Sequence, residues 1–202
     1  LCNTYWVRFN HRSVEYADPV KHTEAIVEAA KLAGVSRIVH ISIVNAGENS
    51  QLTYYKAKAK AEAVVRNSGL PYSVIRPAVL FGPEGILINN IAWTLRTFPV
   101  FFIFGKGDYH LCPVYVDDVA ELLVEQGKLE GNNIINAFGP EVFTYKELAK
   151  TMAEIIGVKR PMISIPAWLG YLGSKSLNLL VRDVFVTREE LEALTTDLLY
   201  IP

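Results

Sequence analysis

Ser42, Tyr54 and Lys58 have residue types and a spacing that suit proton transfer. The segment Arg37-Ile38-Val39-His40-Ile41-Ser42 reads as a buried strand that ends in a hydroxyl. A helix then opens with Tyr54 and carries Lys58 one turn later, and residues four apart share a helix face. A phenol and an ammonium therefore stand side by side, facing the end of the strand. A nearby cation favours the phenolate, so Tyr54 would act as general acid or base well below its free pKa of about 10.

The spacing alone is weak, because Tyr171-Leu-Gly-Ser-Lys175 repeats it. Setting separates the two. Tyr54 follows a β-branched run ending in Ser42, whereas Tyr171 follows Ile165-Pro166 with no such strand end before it. The plain alternative for either pair is a surface tyrosine and lysine on a helix.

At 202 residues and 50% hydrophobic, the chain is one domain, or one with a small lobe, and can bury a sizeable core. A net charge of −1 with no basic stripe argues against nucleic acid as a partner. Cys2 and Cys112 have no metal or redox spacing, and His11, His22, His40 and His110 are scattered, so no metal site is expected. The apolar stretch 85–105 is broken by Asn89, Asn90, Arg96 and Pro99. It falls short of the roughly 20 apolar residues of a membrane span and fits a buried helix followed by a strand. The opening Leu1-Cys2-Asn3, with no starting Met, reads as the middle of a protein.

The elements that must position the three residues follow in order. Asn3 to Phe9 reads as a strand end running into a loop. Asp18-Pro19 reads as a helix start, with Asp18 as N-cap, and Gly34 as its end. A strand over 35–43, the Tyr54 helix to Asn67-Ser68-Gly69, and a strand from Leu70 to Arg76 stopped by Pro77 come next. Helix, strand, helix, strand with short links predicts a doubly wound parallel sheet. A helix over 86–98 and strands over 100–104 and 113–116 are then expected. Asp117-Asp118 would cap a helix to about Glu125, before a strand over 133–137. Thr144-x-x-Glu147 and Thr187-x-x-Glu190 are capping boxes that open two more helices, the first to Ile156 and the second to about Leu199. A short strand over 162–165 and a helix over 166–180 fill the interval. Residues 1–140 would form the sheet domain and 141–202 a small, mostly helical lobe.

Several segments, in the right order across about residues 1–160, are similar to one family. Ser42 with Tyr54-x-x-x-Lys58 and Glu62 is one. Tyr72-Ser-Val-Ile-Arg76-Pro77 with Phe81-Gly82-Pro83 is another. Pro113-Val-Tyr-Val-Asp117-Asp118-Val-Ala120 and Asn136-Ala-Phe-Gly139-Pro140 through Thr144-x-x-Glu147 complete the set. The chain resembles the extended and atypical short-chain dehydrogenase/reductases, the NAD-dependent epimerase/dehydratase group, near the branch that holds the 39-kDa subunit of respiratory complex I. The resemblance implies a Rossmann-like fold, C-terminal part, with NAD or NADP as cofactor. It implies Tyr54 as proton donor or acceptor, Lys58 on the nicotinamide ribose, and Ser42 on the substrate oxygen or the cofactor. Asn3 and Thr4, Ile41 and Ser42, and Pro77, Ala78 and Val79 would lie along the cofactor.

Two departures from the family pattern stand out. No glycine-rich turn opens the chain, and Gly170-x-x-Gly173-x-x-Ser176 fails at the third glycine. About 80 family residues, the size of a βαβαβ half, are expected to be missing, which would leave a raw sheet edge. The usual second hydroxyl after Ser42 is Ile43, and the loop from Ser42 to Tyr54 is only 11 residues. Either Ser42 takes the role, Asn45 substitutes, or the usual chemistry is absent.

The expected function is thus an NAD(P)-dependent oxidoreductase or epimerase-like protein acting on a carbonyl or alcohol of a small molecule, such as a nucleotide sugar, in the cytoplasm. The alternative is a non-catalytic dinucleotide-binding module or assembly subunit on the mitochondrial matrix side. The small-molecule substrate is then the partner in the first case. In the second case the apolar face at Ile86 to Phe104 would dock on the assembly, its plain alternative being ordinary core; a homo-oligomer is the other candidate partner. Arg76 and Arg96 fit a phosphate or a structural ion pair.

Overall fold

The computed structural model describes residues 1–7, 15–166, 168–170, 173 and 187–201. In chain order its strands are β1 (Cys2–Asn3), β2 (Ile38–Ile41), β3 (Tyr72–Pro77), β4 (Val79–Phe81), β5 (Phe101–Phe104), β6 (His110–Leu111), β7 (Pro113–Tyr115), β8 (Asn133–Ala137), β9 (Phe143–Thr144) and β10 (Met162–Ile165). The helices are α1 (Ala17–Leu32), α2 (Thr53–Arg66), α3 (Ile86–Thr97), α4 (Val116–Lys128), α5 (Tyr145–Ile155) and α6 (Arg188–Thr195). They form two compact units, residues 1–78 with 116–138, and residues 79–115 with 139–202. The boundary expected near 140 adjoins the one at 138. Residues 79–115, expected in the sheet domain, cluster with the C-terminal part.

The first unit is a parallel sheet in the order β1-β2-β3-β8, with Cys2 opposite Val39, Ile38 opposite Tyr72 and Ser73 opposite Asn133. The apolar run of β2 follows from burial on both faces. Ile38 packs with Val27 and Ala30 of α1 and Val65 of α2. On the other face α4 lies against β2 and β3, with Gly127 next to Val39. This is the Rossmann-like, doubly wound arrangement expected from the sequence. Arg37 locks its lower end. The buried guanidinium donates to the Gln126 carbonyl at 2.7 Å, the Gly131 carbonyl at 2.5 Å and the Ser73 hydroxyl at 2.6 Å. A cation left without such acceptors in that place would be costly.

The second unit pairs β4 with β7 and β5 with β10, both parallel, and β6 with β9, antiparallel. Leu95, Phe101, Ile103, Leu111, Tyr145 and Leu148 form its core. The region after Gly139 thus supplies strands as well as helices. Both capping boxes form: Thr144 Oγ1 accepts from the Glu147 amide at 3.2 Å, and Thr187 Oγ1 from the Glu190 amide at 3.1 Å.

Several boundaries differ from the sequence expectation. Asp18 is not the N-cap of α1, which starts at Ala17 behind Tyr16. Its carboxylate instead reaches back to accept from the Glu15 amide at 2.9 Å. Asp117 and Asp118 lie inside the first turn of α4, where negative charge suits the helix dipole, rather than before it. β2 begins at Ile38, not 35, because Gly34 takes a φ of +68° and Val35 is still bonded back to Ala30. The last helix stops at Thr195, before Asp197 at a φ of +55°. Most of the helix expected over 166–180, including Tyr171 and Lys175, lies outside the described residues. Among the described residues no helix is long and apolar enough to cross a membrane, and no group of three or more His, Cys, Asp or Glu is placed to hold a metal.

Candidate functional site

The site is built where β1, β2 and β3 end and α2 begins. α2 starts at Thr53, one residue before Tyr54, behind Leu52 in an extended conformation. Its buried side carries Tyr55, Lys58, Glu62 and Val65, the i, i+3, i+4 rhythm of a helix on a sheet. Lys58 is 3% exposed. Its Nζ donates to the Ile41 carbonyl at 3.4 Å, at the end of β2. The ammonium lies 4.1 Å from the Trp6 ring centroid and 5.9 Å from that of Tyr54, the range of cation–π attraction. Burial pulls the Lys58 pKa down to about 7, against an upward pull from Glu62.

Tyr54 is half-buried, with Trp6, Tyr16 and Tyr55 ring edges around it at 6.0, 5.5 and 5.7 Å between centroids. Tyr55 points into the core and burial pushes its phenol far up, beyond use at neutral pH. The acid–base candidate is therefore Tyr54 and not its neighbour.

Ser42 follows β2, and its amide donates to the Ile75 carbonyl at 2.8 Å. Its Oγ is buried with no hydrogen-bond partner. Asn3 is buried at the end of β1. Its Oδ1 accepts from the Tyr5 amide at 3.2 Å, which orients the amide so that Nδ2 donates to His40 Nδ1 at 3.1 Å. The neutral His40 ring then carries its proton on Nε2, a buried donor without a partner. Burial and Lys58 push the His40 pKa down to about 3. Thr4, next to Asn3, is exposed. The Pro77 carbonyl accepts from the Val44 amide at 3.2 Å, which ties the end of β3 to the loop after Ser42. Ala78 is buried and bonded to the Ala137 carbonyl at 3.2 Å. Val79 is instead in the apolar cluster of the second unit. Asn45, the candidate substitute for the second hydroxyl, adopts a φ of +58° in the loop.

Trp6 and His40 were not singled out as site residues by sequence reasoning. An alternating strand places His40 on the α2 face, a signal that was available. Trp6 had none, because its place depends on the turn after β1. Arg76 resolves as an ion pair: its Nε and Nη2 donate to the two Glu62 oxygens at 2.8 and 2.6 Å.

The polar atoms present fit the nicotinamide-ribose end of a dinucleotide. Ser42 Oγ has no partner and Lys58 Nζ retains donor capacity beyond one long bond, the donors that ribose hydroxyls and a carbonyl oxygen require. For the pyrophosphate end, the described residues hold no glycine-rich turn between a strand and a helix.

A family model described as NAD(P)H-binding matches residues 7–89. The chain is 27% identical over 204 residues to the mitochondrial NADH dehydrogenase [ubiquinone] 1 alpha subcomplex subunit 9 of Arabidopsis thaliana, covering 95% of this chain and 51% of that protein. It is 26% identical over 192 residues to 3beta-hydroxysteroid-dehydrogenase/decarboxylase isoform 1 of the same plant, covering 79% of this chain and 44% of that one. Among solved structures, UDP-glucose 4-epimerase from Thermotoga maritima with UDP-glucose superposes with a TM-score of 0.63 at 26% identity, covering 75% of this chain and 59% of that one. The chain thus spans about half the length of the curated relatives it matches.

A parallel sheet wound on both faces, with its candidate site at the strand ends, is a Rossmann-type protein of the NAD(P)-binding class. The chain is similar to the extended and atypical short-chain dehydrogenase/reductases, the epimerase/dehydratase group, and within it to the complex I 39-kDa subunit branch.

Proposed function

We propose that this chain supplies the proton-transfer half of an NAD(P)-dependent site acting on a carbonyl or alcohol of a small molecule. The observation that carries this reading is the buried Lys58 ammonium, one helical turn from Tyr54 and against the last carbonyl of β2. The bound dinucleotide supplies the hydride donor or acceptor. Tyr54 gives or takes the proton at the substrate oxygen, and Lys58 holds ribose hydroxyls and favours the phenolate. The Ser42 hydroxyl donates to the substrate oxygen. Asn3, Thr4, Ile41, Pro77 and Ala78 line the cofactor, whereas Val79 is taken up by the second unit's core. A nucleotide sugar as substrate is supported by the likeness to the epimerase with UDP-glucose. Tyr54→Phe in the full-length protein tests the reading. It removes the only proton-transfer atom of that side chain, so turnover should fall by about 10²–10⁴-fold with dinucleotide affinity kept. Turnover retained in this variant would overturn it.

A second reading has its own support. Ile43 stands where family members carry a second hydroxyl, and one relative is an NADH dehydrogenase subunit. In that reading the protein binds dinucleotide as a structural ligand within a mitochondrial assembly, on the matrix side, and not in the cytoplasm. The nucleotide then stays bound and never exchanges hydride with a carbonyl substrate. Steady turnover lost in Tyr54→Phe would remove this reading.

A further inference from the structure

The buried side of α2 carries a second charge that the proton-transfer reading does not use. Glu62 lies one turn beyond Lys58, and both side chains are almost without solvent. Both Glu62 oxygens are held by the Arg76 guanidinium of β3, in a two-pronged bond at 2.8 and 2.6 Å. Such a fork fixes the carboxylate in direction as well as distance.

Among the described residues, the structure records few titratable, charged or aromatic groups against the Lys58 ammonium. From β2 comes His40, fully buried, its Nδ1 held by Asn3 and its ring neutral. From the segment after β1 comes the Trp6 ring. α2 itself contributes Tyr54 and Glu62, and β3 contributes Arg76 through Glu62. Among these, Glu62 is the anion.

We propose that Glu62 and Arg76 are a positioning pair that sets the charge of Lys58. The carboxylate, fixed one turn below the ammonium, holds it protonated, and the guanidinium draws part of that charge away. The inference rests on the reading of Lys58 as part of the proton-transfer site, since only there does its charge matter. Burial and Glu62 act on Lys58 in opposite directions, as a fixed anion in a dry site must. Arg76 is in turn held firmly cationic, first by its hydrogen bond to Glu62. A purely structural ion pair would tie α2 to β3 and leave Lys58 alone, and a buried pair is by itself weak evidence for anything more.

Two variants separate these roles because both break the same pair. The Lys58 side chain is titrated by NMR in the full-length protein with isotope-labelled lysine. Glu62→Gln removes the anion, and the Lys58 midpoint should fall by a pH unit or more, at least a tenfold fall in its protonation constant. Arg76→Gln releases the carboxylate from its partner, and the midpoint should rise. Arg76→Lys keeps the charge and should leave the midpoint near that of the parent. Far-UV circular dichroism checks folding, and if Glu62→Gln does not fold, the sign of the shift in Arg76→Gln decides. Midpoints that do not move, or move the same way in both Gln variants, overturn the proposal. The titration needs no dinucleotide. A Tyr54→Phe protein that still turns over refutes the proposed activity and leaves this pair standing; an unmoved Lys58 does the reverse.

Discussion

His40 and Lys58 are buried bases whose folded pKa values lie below their ordinary ones, so both make stability depend on pH in the same direction. For His40 the folded value is about 3 and the unfolded one about 6.5. Between these, the unfolded chain binds a proton that the folded chain does not. The contribution of the neutral ring is therefore complete above pH 6.5 and is lost as pH falls toward 3, at up to about 1.4 kcal/mol per pH unit. For Lys58 the contribution is complete above its ordinary pKa near 10.5 and is lost as pH falls through about 7. Urea unfolding midpoints should drop from pH 6.5 to 4 in the parent protein, and His40→Gln should remove part of that slope. An equal slope in the variant would show that the ring titrates freely. Tyr55 supplies a second residue-scale prediction. Its phenol is buried and pushed up beyond reach of neutral chemistry. Tyr55→Phe should then leave turnover intact where Tyr54→Phe abolishes it, and the reverse result in a kinetic assay would exchange their roles.

At the scale of elements, two local devices are expected to be measurable. The Thr144 capping box satisfies amides at the start of α5. Thr144→Ala should cost about 1 kcal/mol in urea unfolding. Gly139 is more severe: an added Cβ would run into the Pro113 carbonyl oxygen, at the strand β7. Gly139→Ala should cost about 1–3 kcal/mol by forcing the two backbones apart, and an unchanged unfolding midpoint would refute that close approach. These devices also show what the sequence made legible. Capping boxes, the strand at 133–137 and the one-turn spacing of Tyr54 and Lys58 on α2 were readable because each is a local pattern. The start of α1 was missed because Asp18 turned its carboxylate back to Glu15, a choice between two nearby amides that residue type does not decide. The short strands β4, β6 and β9 were missed because two or three residues carry no period. Trp6 over Lys58 joins residues 52 positions apart through a turn, and no spacing rule reaches it.

At the scale of the whole molecule, the two functional readings differ in what happens to bound nucleotide. The chain covers 51% of one mitochondrial relative, and its described residues fit the nicotinamide-ribose end of a dinucleotide without offering a glycine-rich cradle for the pyrophosphate. Much of a dinucleotide's charge lies in that pyrophosphate. The 202 residues alone are therefore expected to bind NAD(P)H weakly. The measurement is intact mass together with nucleotide released on denaturation. A mass near 22.6 kDa with stoichiometric NAD(P) would contradict this, because it would require tight binding by these residues alone. No nucleotide from a protein of that mass agrees with it, and nucleotide released from a protein of larger mass would place the pyrophosphate cradle outside these residues. Hydride exchange of that nucleotide with a carbonyl substrate then separates an enzyme from an assembly subunit. Exchange that depends on Tyr54 makes the buried Lys58 and its neighbours a working site, whereas retained nucleotide with no exchange makes the same residues a cofactor clamp.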